Sequence, residues 1–162
     1  MHPPGERTAR PGGADAQALA EAVAKAILGR DQAAQSLGIV LEEIRAGYAR
    51  VRMRVRSDLL NAHRTCHGGL IFALADSAFE LACNSYDEVA VASGCTIEFL
   101  APAGEGDELV AVAEERARTP RTGVYDVQVT KTDGEPVACF RGRSVSRRES
   151  VLQTRTPEAE AR

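Results

Sequence analysis

One stretch of the chain, GGLIFALADSAFELACN from Gly68 to Asn84, limits the fold more than any other. Its residues are mostly apolar or small, which predicts a helix that is apolar on more than one face and must be covered on most sides. The rest of the chain is therefore expected to wrap around it. In its middle lies the carboxylate of Asp76, and burying an unpaired carboxylate costs several kcal/mol or forces it to take up a proton. Either a function or an ion pair with an arginine of a neighbouring strand must explain that charge.

The segments on either side of this helix predict a sheet and two further helices. An apolar stripe predicts a helix from Asp15 to near Gly29, and DQAAQSLG predicts a second, short one. The pattern IVLEEIRAGYARVRMRV alternates, which predicts a hairpin with its turn at Gly47. Four more strand-like runs follow Asn84, separated by residues typical of turns. The predicted fold class is α+β, an antiparallel sheet curled around one long central helix.

Length and composition indicate a single domain. A chain of 162 residues with 44% hydrophobic and 27% charged residues is typical of one soluble globular unit. We expect residues 1–14 to form a disordered arm, residues 15–149 the folded domain, and residues 150–162 a disordered tail.

Charge, hydropathy and cysteine usage exclude several classes of partner. The net charge of −3 argues against nucleic acid as the main partner. No window of about twenty residues lacks charge, so no membrane-spanning segment is predicted. The four cysteines show no CxxC spacing, and two lie in segments predicted to be buried. We therefore expect reduced thiols and a cytoplasmic protein.

Gly68 and Gly69 lie where the central helix is predicted to begin. The first N–H groups of a helix lack internal partners and carry the positive end of its dipole, so a ligand oxygen can bind there. A glycine pair can also simply form a tight connection into a helix, and both interpretations stay open at this point. Asp76 lies eight residues after Gly68, about 12 Å along a helix, so the two cannot act on one carbonyl within one subunit. Two such helices packed antiparallel about a twofold axis would bring them together in two shared sites.

The segments NAHRTCHGGLIFALADSAFELACNS, ASGCTIEFLAPA, TGVYDVQV and FRGRS resemble the PaaI group of hotdog-fold acyl-CoA thioesterases, which is linked to phenylacetate degradation. The resemblance covers residues 33–145, and its most specific motif is HGG followed by an Asp seven residues after the second Gly. It implies a hotdog fold, with subunits that pair to form the sites and dimers that commonly associate into homotetramers. It also implies hydrolysis of a small aromatic acyl-CoA, of the phenylacetyl-CoA or hydroxyphenylacetyl-CoA type, without any cofactor besides the CoA of the substrate.

The resemblance also implies roles for four residues. Asp76 matches the catalytic carboxylate, which acts as general base on water or as nucleophile on the thioester carbon. Gly68 matches the residue whose N–H polarises the thioester carbonyl. Asn61 matches the asparagine that helps to orient water or substrate, and His67 matches the histidine of the HGG motif.

Two further patterns bear on this assignment. One relative outside the closest group uses a serine on the strand after the helix, but the matching position here is Ala92, with Ser93 beside it. His63, Cys66 and His67 could form a metal cluster, yet their spacing spans a loop and no fourth ligand is evident. We therefore predict no metal site, and the resemblance assigns no role to a serine of this strand.

The sequence identifies the substrate-binding residues less clearly than the catalytic ones. Arg118, Arg121 and Arg143 are candidates to bind the phosphates of coenzyme A, although a solvated strand face also explains each of them. Four apolar residues are either the lining of an acyl pocket or ordinary core: Leu59, Leu60, Phe72 and Phe79.

Two other functions stay open. A module that binds or senses acyl-CoA without turnover would use the same helix, although an apolar residue in place of Asp76 would then bind better. A hotdog hydratase is also conceivable, but the Asp and His five residues apart that we expect of one are missing, since no His follows Asp76.

Overall fold

The protein is seen in a computed structural model that describes residues 13–153; the rest of the predicted arm and tail lies outside the described residues. Two helices, α1 (Gly13–Leu28) and α2 (Gln32–Leu37), precede a hairpin of β1 (Val40–Arg45) and β2 (Tyr48–Arg54). A short 3₁₀ turn (Ser57–Leu59) leads to α3 (Gly68–Asn84). Four strands follow: β3 (Ala90–Phe99), β4 (Glu108–Arg118), β5 (Thr122–Lys131) and β6 (Pro136–Ser146).

The strands form one antiparallel sheet of six strands in the order β1-β2-β4-β5-β6-β3. Helix α3 packs against every one of them, which requires the sheet to curve around it. The predicted α+β class, with a sheet wrapped around a central helix and additional N-terminal helices, is confirmed.

Helix α3 is the centre of the hydrophobic core. Leu74, Ala75 and Ala78 are fully buried, and the small alanines let the strands approach the helix closely. The ring of Phe79 packs edge-on against Tyr125, with ring centroids 5.5 Å apart. A Cβ at Gly142, the glycine of the FRGRS segment, would lie 2.9 Å from the Phe79 ring, so this close approach requires glycine.

The four residues considered for an acyl pocket belong to this core. Leu59 and Phe79 are buried, and Leu60 packs against them half-buried. Phe72 lies edge-on to Phe140, with ring centroids 5.3 Å apart. The cavities beside α3 are lined by other residues, so the interpretation of these four as ordinary core is the better one.

The folded domain extends slightly beyond the boundaries 15 and 149. Helix α1 begins at Gly13. After β6, Ser150 donates to Asp87 Oδ2 at 2.8 Å, the Leu152 N–H donates to Asp87 Oδ1 at 2.9 Å, and Val151 is buried. The disorder predicted for residues 150–153 is therefore not found, because contacts with a loop more than sixty residues away hold them.

Strand β3 is an open edge of the sheet. It is ten residues long, and its only strand partner in the described chain is β6. Apolar side chains at its two ends are exposed, with Val91 at 38% and Phe99 at 52%. A long edge with exposed apolar groups can pair with a strand of another chain.

The described residues also show the pairing of the thiols and the hydropathy of the helices. All four cysteines are unpaired; Cys66 and Cys83 are buried, Cys95 is half-buried, and Cys139 is exposed. Among the helices of residues 13–153, none is both long and apolar enough to cross a bilayer.

Candidate active site

The N-terminus of α3 presents an unpaired backbone donor. His67 is the N-cap residue, and its Nδ1 accepts a hydrogen bond from the Gly69 N–H at 3.1 Å. The His67 carbonyl oxygen accepts from Leu70 and Ile71. No atom of residues 13–153 accepts a hydrogen bond from the Gly68 N–H. This donor lies at the positive end of the helix dipole, where it can bind a ligand oxygen.

His67 prepares this helix start. Its side chain is exposed, and because Nδ1 is the acceptor, the proton of the neutral ring is assigned to Nε2. By binding the Gly69 N–H, it leaves Gly68 as the first unpaired donor of the helix. The geometry gives the motif histidine a positioning role.

A cavity of about 340 Å³ opens beside the Gly68 donor. Asn61 and Gly68 both line it, together with Phe99 and Leu100 from the end of β3. The Phe99 ring is so close to Gly68 that a Cβ there would lie 3.1 Å from the ring Cζ. The structure thus brings two of the four predicted catalytic residues into one cavity.

Asn61 uses its side chain to hold its own loop. Its Oδ1 accepts from the His63 N–H at 2.9 Å and from the Thr65 N–H at 3.2 Å, and its Nδ2 donates to Thr65 Oγ1 at 3.0 Å. This is an Asx-type turn that fixes part of the cavity wall. The predicted contact between Asn61 and water or substrate stays a prediction.

The possible metal cluster of His63, Cys66 and His67 does not form a ligand set. Nδ1 of His67 is engaged as the helix cap, and burial raises the pKa of the Cys66 thiol to about 11, which disfavours the thiolate that binds metals. Across residues 13–153, no three or more His, Cys, Asp or Glu side chains are grouped so that they could hold a metal ion.

Asp76 lies half-buried in the middle of α3 without a cationic partner. Among residues 13–153 no ion pair or side-chain hydrogen bond involves its carboxyl group, so the ion pair considered from the sequence is not found. Desolvation by burial, and secondarily the negative charge of Asp31, raise the pKa of Asp76. A desolvated, unpaired carboxylate is a stronger base than one in water.

Asp76 and Gly68 do not share a cavity within this chain. Helix α3 is continuous between them, so the eight-residue spacing places them about 12 Å apart along its axis. Asp76 is also absent from the lining of the cavity beside Gly68. The inference that one subunit cannot use both on one carbonyl agrees with the observed helix.

A second carboxylate of α3, Glu80, belongs to no motif that the sequence analysis identifies. It lies one turn after Asp76 on the same face, and burial, followed by the charges of Asp31 and Asp76, raises its pKa to about 7. A Glu in a helix is usually solvent-exposed, so only its i,i+4 spacing from Asp76 could have pointed to it.

Comparison with known proteins points to one family. Residues 63–138 match the model of the thioesterase superfamily. The acyl-coenzyme A thioesterase PaaI of Escherichia coli K12 is 46% identical over 121 residues, which are 75% of this chain and 86% of that protein. The structure of E. coli PaaI, from the phenylacetic acid degradation operon, matches with a TM-score of 0.82 and 42% identity, over 83% of this chain and 97% of that one.

The chain belongs to the thioesterase superfamily. A thioesterase protein of Streptococcus pneumoniae, solved with coenzyme A, also matches this thioesterase at 25% identity, with a TM-score of 0.67 over 69% of this chain and 90% of that chain. Thioester hydrolysis is the chemistry of the family. It needs an electrophilic carbonyl, a base or nucleophile, and an oxyanion donor, and Asp76 and Gly68 are the candidates for the last two.

The three arginines considered for phosphate binding lie near the start of β5. Arg118 is engaged: its Nη2 donates to Glu88 Oε2 at 2.6 Å, and its guanidinium lies 4.0 Å from the Tyr86 ring centroid. Glu88 also accepts a hydrogen bond from Ser146. These contacts give Arg118 a structural role and make it the weakest of the three candidates.

Arg121 and Arg143 remain available in this thioesterase. Neither forms an ion pair with any residue in the described range 13–153. Arg121 lies in the turn between β4 and β5, and Arg143 lies on β6 opposite Gly94 of the edge strand β3. Arg121 therefore lies at one end of the sheet and Arg143 lies next to its open edge. Both side chains are exposed, so a phosphate can reach them.

The strand after α3 offers no free serine at the position considered. Ala92 has no functional side chain, and Ser93 donates its hydroxyl to the Arg143 carbonyl oxygen at 3.1 Å. Ser93 lies where the β3–β6 register shifts, between Ala92 and Gly94. Its hydroxyl supports this irregularity of the edge strand.

Proposed function

We propose that this thioesterase hydrolyses small aromatic acyl-CoA thioesters, of the phenylacetyl-CoA or hydroxyphenylacetyl-CoA type, to the free acid and coenzyme A. One observation carries the proposal: a single apolar helix holds both an unpaired carboxylate, Asp76, and an unpaired backbone donor, the Gly68 N–H. The aromatic preference is supported by the 46% identity to E. coli PaaI and by the operon from which that protein comes.

In the proposed reaction, the thioester carbonyl oxygen accepts a hydrogen bond from the Gly68 N–H. Asp76 removes a proton from water as the water oxygen attacks the carbonyl carbon. In the alternative route Asp76 attacks that carbon itself, and after the thiolate has left, water hydrolyses the resulting acyl anhydride to the free acid. The negative charge on the tetrahedral oxygen is stabilised by the same N–H. The C–S bond then breaks, and the sulfur leaves with a proton as the thiol of coenzyme A. Coenzyme A is part of the substrate, and the reaction needs no other cofactor or metal.

A homodimer is the minimal active unit in this proposal, and a pair of dimers forming a homotetramer is the expected assembly. Antiparallel pairing of β3 with β3 of a second copy would satisfy the open edge and cover Val91 and Phe99. Phe99 contacts Gly68, so this pairing carries the helix start of one subunit toward the partner. Two sites would then form, each with Gly68 of one subunit and Asp76 of the other.

Mixing two inactive variants is expected to restore activity if the site is shared. Asp76→Asn and Gly68→Pro each damage one half of the site, so a mixed dimer keeps one intact site out of two. Random reassociation should therefore recover about a quarter of wild-type turnover. The measurement is thiol release after joint refolding, with differently tagged chains to count mixed dimers. If mixed dimers form without any activity, each site lies within one chain.

The dependence of activity on pH should reveal the environment of Asp76. Because its ionised form is the active one and its pKa is raised, kcat/KM should fall on the acid side at a higher pH than an exposed Asp would cause. Asp31→Asn removes a negative charge that helps to raise the pKa of Asp76. The acid limb of the kcat/KM profile should therefore move to lower pH in this variant. Asparagine can still cap α2 by accepting from the Ala34 N–H. An unmoved limb in this variant would show that Asp31 does not act on the titrating group.

The function itself is tested by thiol release from a panel of acyl-CoA esters. We expect phenylacetyl-CoA and 4-hydroxyphenylacetyl-CoA to be hydrolysed with higher kcat/KM than acetyl-CoA or hexanoyl-CoA. A preference for the aliphatic esters would overturn the aromatic assignment but keep the thioesterase. Binding of every ester without turnover would instead favour an acyl-CoA sensor or carrier.

The proposal also covers the residues that bind the phosphates of coenzyme A and the cellular location of the protein. Arg121 and Arg143 are the residues that we assign to the phosphates of coenzyme A, because both lack ion pairs within residues 13–153. The four unpaired thiols support a reducing, cytoplasmic location.

A further inference from the structure

A second cavity, of about 400 Å³, lies on the other side of Asp76 from the α3 N-terminus. We refer to it as the Glu80 cavity. The end of α1, the loop before α2, the last turns of α3 and the start of β3 surround it. Apolar side chains of Ile27, Val91 and Val151 form part of its wall, while Arg30, Asp31 and Glu80 supply charged groups.

The Glu80 carboxyl group is the unexplained feature of this wall. Within residues 13–153 it has neither an ion pair nor a side-chain hydrogen bond. Its burial and the nearby charges of Asp31 and Asp76 disfavour its ionised form, and Arg30 only partly offsets this effect. The Arg30 guanidinium donates to two carbonyl oxygens, of Ala26 at 3.0 Å and of Val151 at 3.4 Å.

The position of the cavity relative to Asp76 decides which part of the substrate can occupy it. Glu80 lies one helical turn after Asp76 on the same face of α3, so we infer that a thioester bound at Asp76 directs one of its two ends toward Glu80. The phosphates of coenzyme A are anionic and would be repelled by Asp31, Asp76 and Glu80. The acyl end is therefore the part that enters, and the apolar wall suits it. This step rests on the proposed function.

We propose that Glu80 is a specificity-determining residue: its carboxyl group makes this cavity accept neutral acyl groups and reject acyl groups that carry a carboxylate of their own. An anionic acyl group would lose its hydration in the cavity and meet a like charge in place of a partner. A neutral ring or chain carries no charge that the Glu80 and Asp31 carboxyl groups could repel, and it packs against the apolar part of the wall.

The test compares matched pairs of substrates that differ in charge. The aromatic pair is phenylacetyl-CoA and 4-carboxyphenylacetyl-CoA, and the aliphatic pair is pentanoyl-CoA and glutaryl-CoA. For each pair, the ratio of kcat/KM for the neutral ester to that for the anionic ester should be at least about tenfold lower in Glu80→Gln than in wild type at pH 8. Glu43→Gln, an exposed carboxylate on β1 paired with Arg45, is the control and should leave the ratio unchanged.

The wild-type protein provides an independent readout through pH. Since the pKa of Glu80 is about 7, discrimination should be weaker at pH 6, where the carboxyl is mostly protonated, than at pH 8. The groups that face Glu80 are Asp31 and Arg30 from the loop before α2, and Asp76 and Cys83 from α3. In Glu80→Gln, the ratio should lose most of this pH dependence. An equal ratio in both proteins at pH 8 would overturn the proposal.

Measurements of ligand binding test the role of Glu80 independently of the proposed thioesterase activity. Thioether analogues, with phenethyl-CoA and 4-carboxyphenethyl-CoA as the pair, cannot be hydrolysed, and their Kd values can be measured by calorimetry. If no ester of either pair is hydrolysed, the proposed function fails, whereas a Kd ratio that falls in Glu80→Gln still supports charge selection by Glu80. Hydrolysis of both esters in each pair with unchanged ratios keeps the thioesterase and refutes the role of Glu80.

Discussion

Asp76→Asn is expected to lower kcat for acyl-CoA hydrolysis by about 10²- to 10⁴-fold, while assembly and substrate binding are retained. The amide has the shape of the carboxylate but neither takes up a proton from water nor attacks the thioester carbon. No residue in the range 13–153 forms an ion pair with Asp76, so the substitution leaves no described cation unpaired. The measurement is thiol release at saturating substrate, with binding of a thioether analogue determined in parallel.

The control for this variant is Asp58→Asn, which removes a carboxylate from an exposed ion pair with Arg56. It should have nearly wild-type activity, since exposed pairs contribute little. Undiminished hydrolysis in Asp76→Asn would refute the catalytic assignment. Loss of binding along with activity would make Asp76 a residue that holds the substrate or the fold.

Gly68→Pro is expected to reduce kcat by about 10²- to 10³-fold, because it removes one hydrogen-bond donor to the oxyanion and little else. Gly68 is the first residue of α3, the position where proline is favoured and its missing N–H takes no helix bond away. His67 precedes it with extended backbone angles of φ −62° and ψ 130°, which a following proline permits. Steady-state kinetics on the preferred ester provide the measurement.

Gly68→Ala is the matched control for steric effects. An alanine Cβ would lie 3.1 Å from the Phe99 ring, as would the corresponding atom of proline, but alanine keeps the N–H. The half-exposed Phe99 side chain can move slightly to accommodate either residue. We expect Ala to retain most of the activity that Pro loses. Equal losses in the two variants would assign the effect to crowding by the side chain and would exclude the N–H as the oxyanion donor.

Much of the fold was predictable because it depends on local patterns. The central helix was predicted from Gly68 to Asn84 and is observed there, since its apolar run is long and begins at a glycine pair. The hairpin turn at Gly47 and the four later strands also agree with the alternation of apolar and polar residues. The strand order was not predictable: β3 pairs with β6 at the sheet edge, which depends on contacts far apart in sequence.

The candidate site was predictable only where the signal is local. Gly68 and Asp76 lie in one recognisable motif, and their spacing on a helix already indicated a site shared between subunits. The hydrogen bond from Arg118 to Glu88 joins residues thirty positions apart, so no local sequence pattern predicts it. Asn61 likewise matched the motif, but its hydrogen bonds to its own loop became visible only in the structure.

The sequence by itself determined the central helix, the alternating strands, and the eight-residue separation of the Asp76 carboxylate from the glycine pair at the helix start, because periodicity and helix geometry are properties of neighbouring residues. Only the tertiary structure decided that Glu80 lies in a cavity beside Asp76. That environment is built by α1, the loop before α2, β3 and Val151, which meet there from distant parts of the chain. Desolvation depends on such contacts, so the fold, and not the residue type alone, sets the pKa of a carboxyl group.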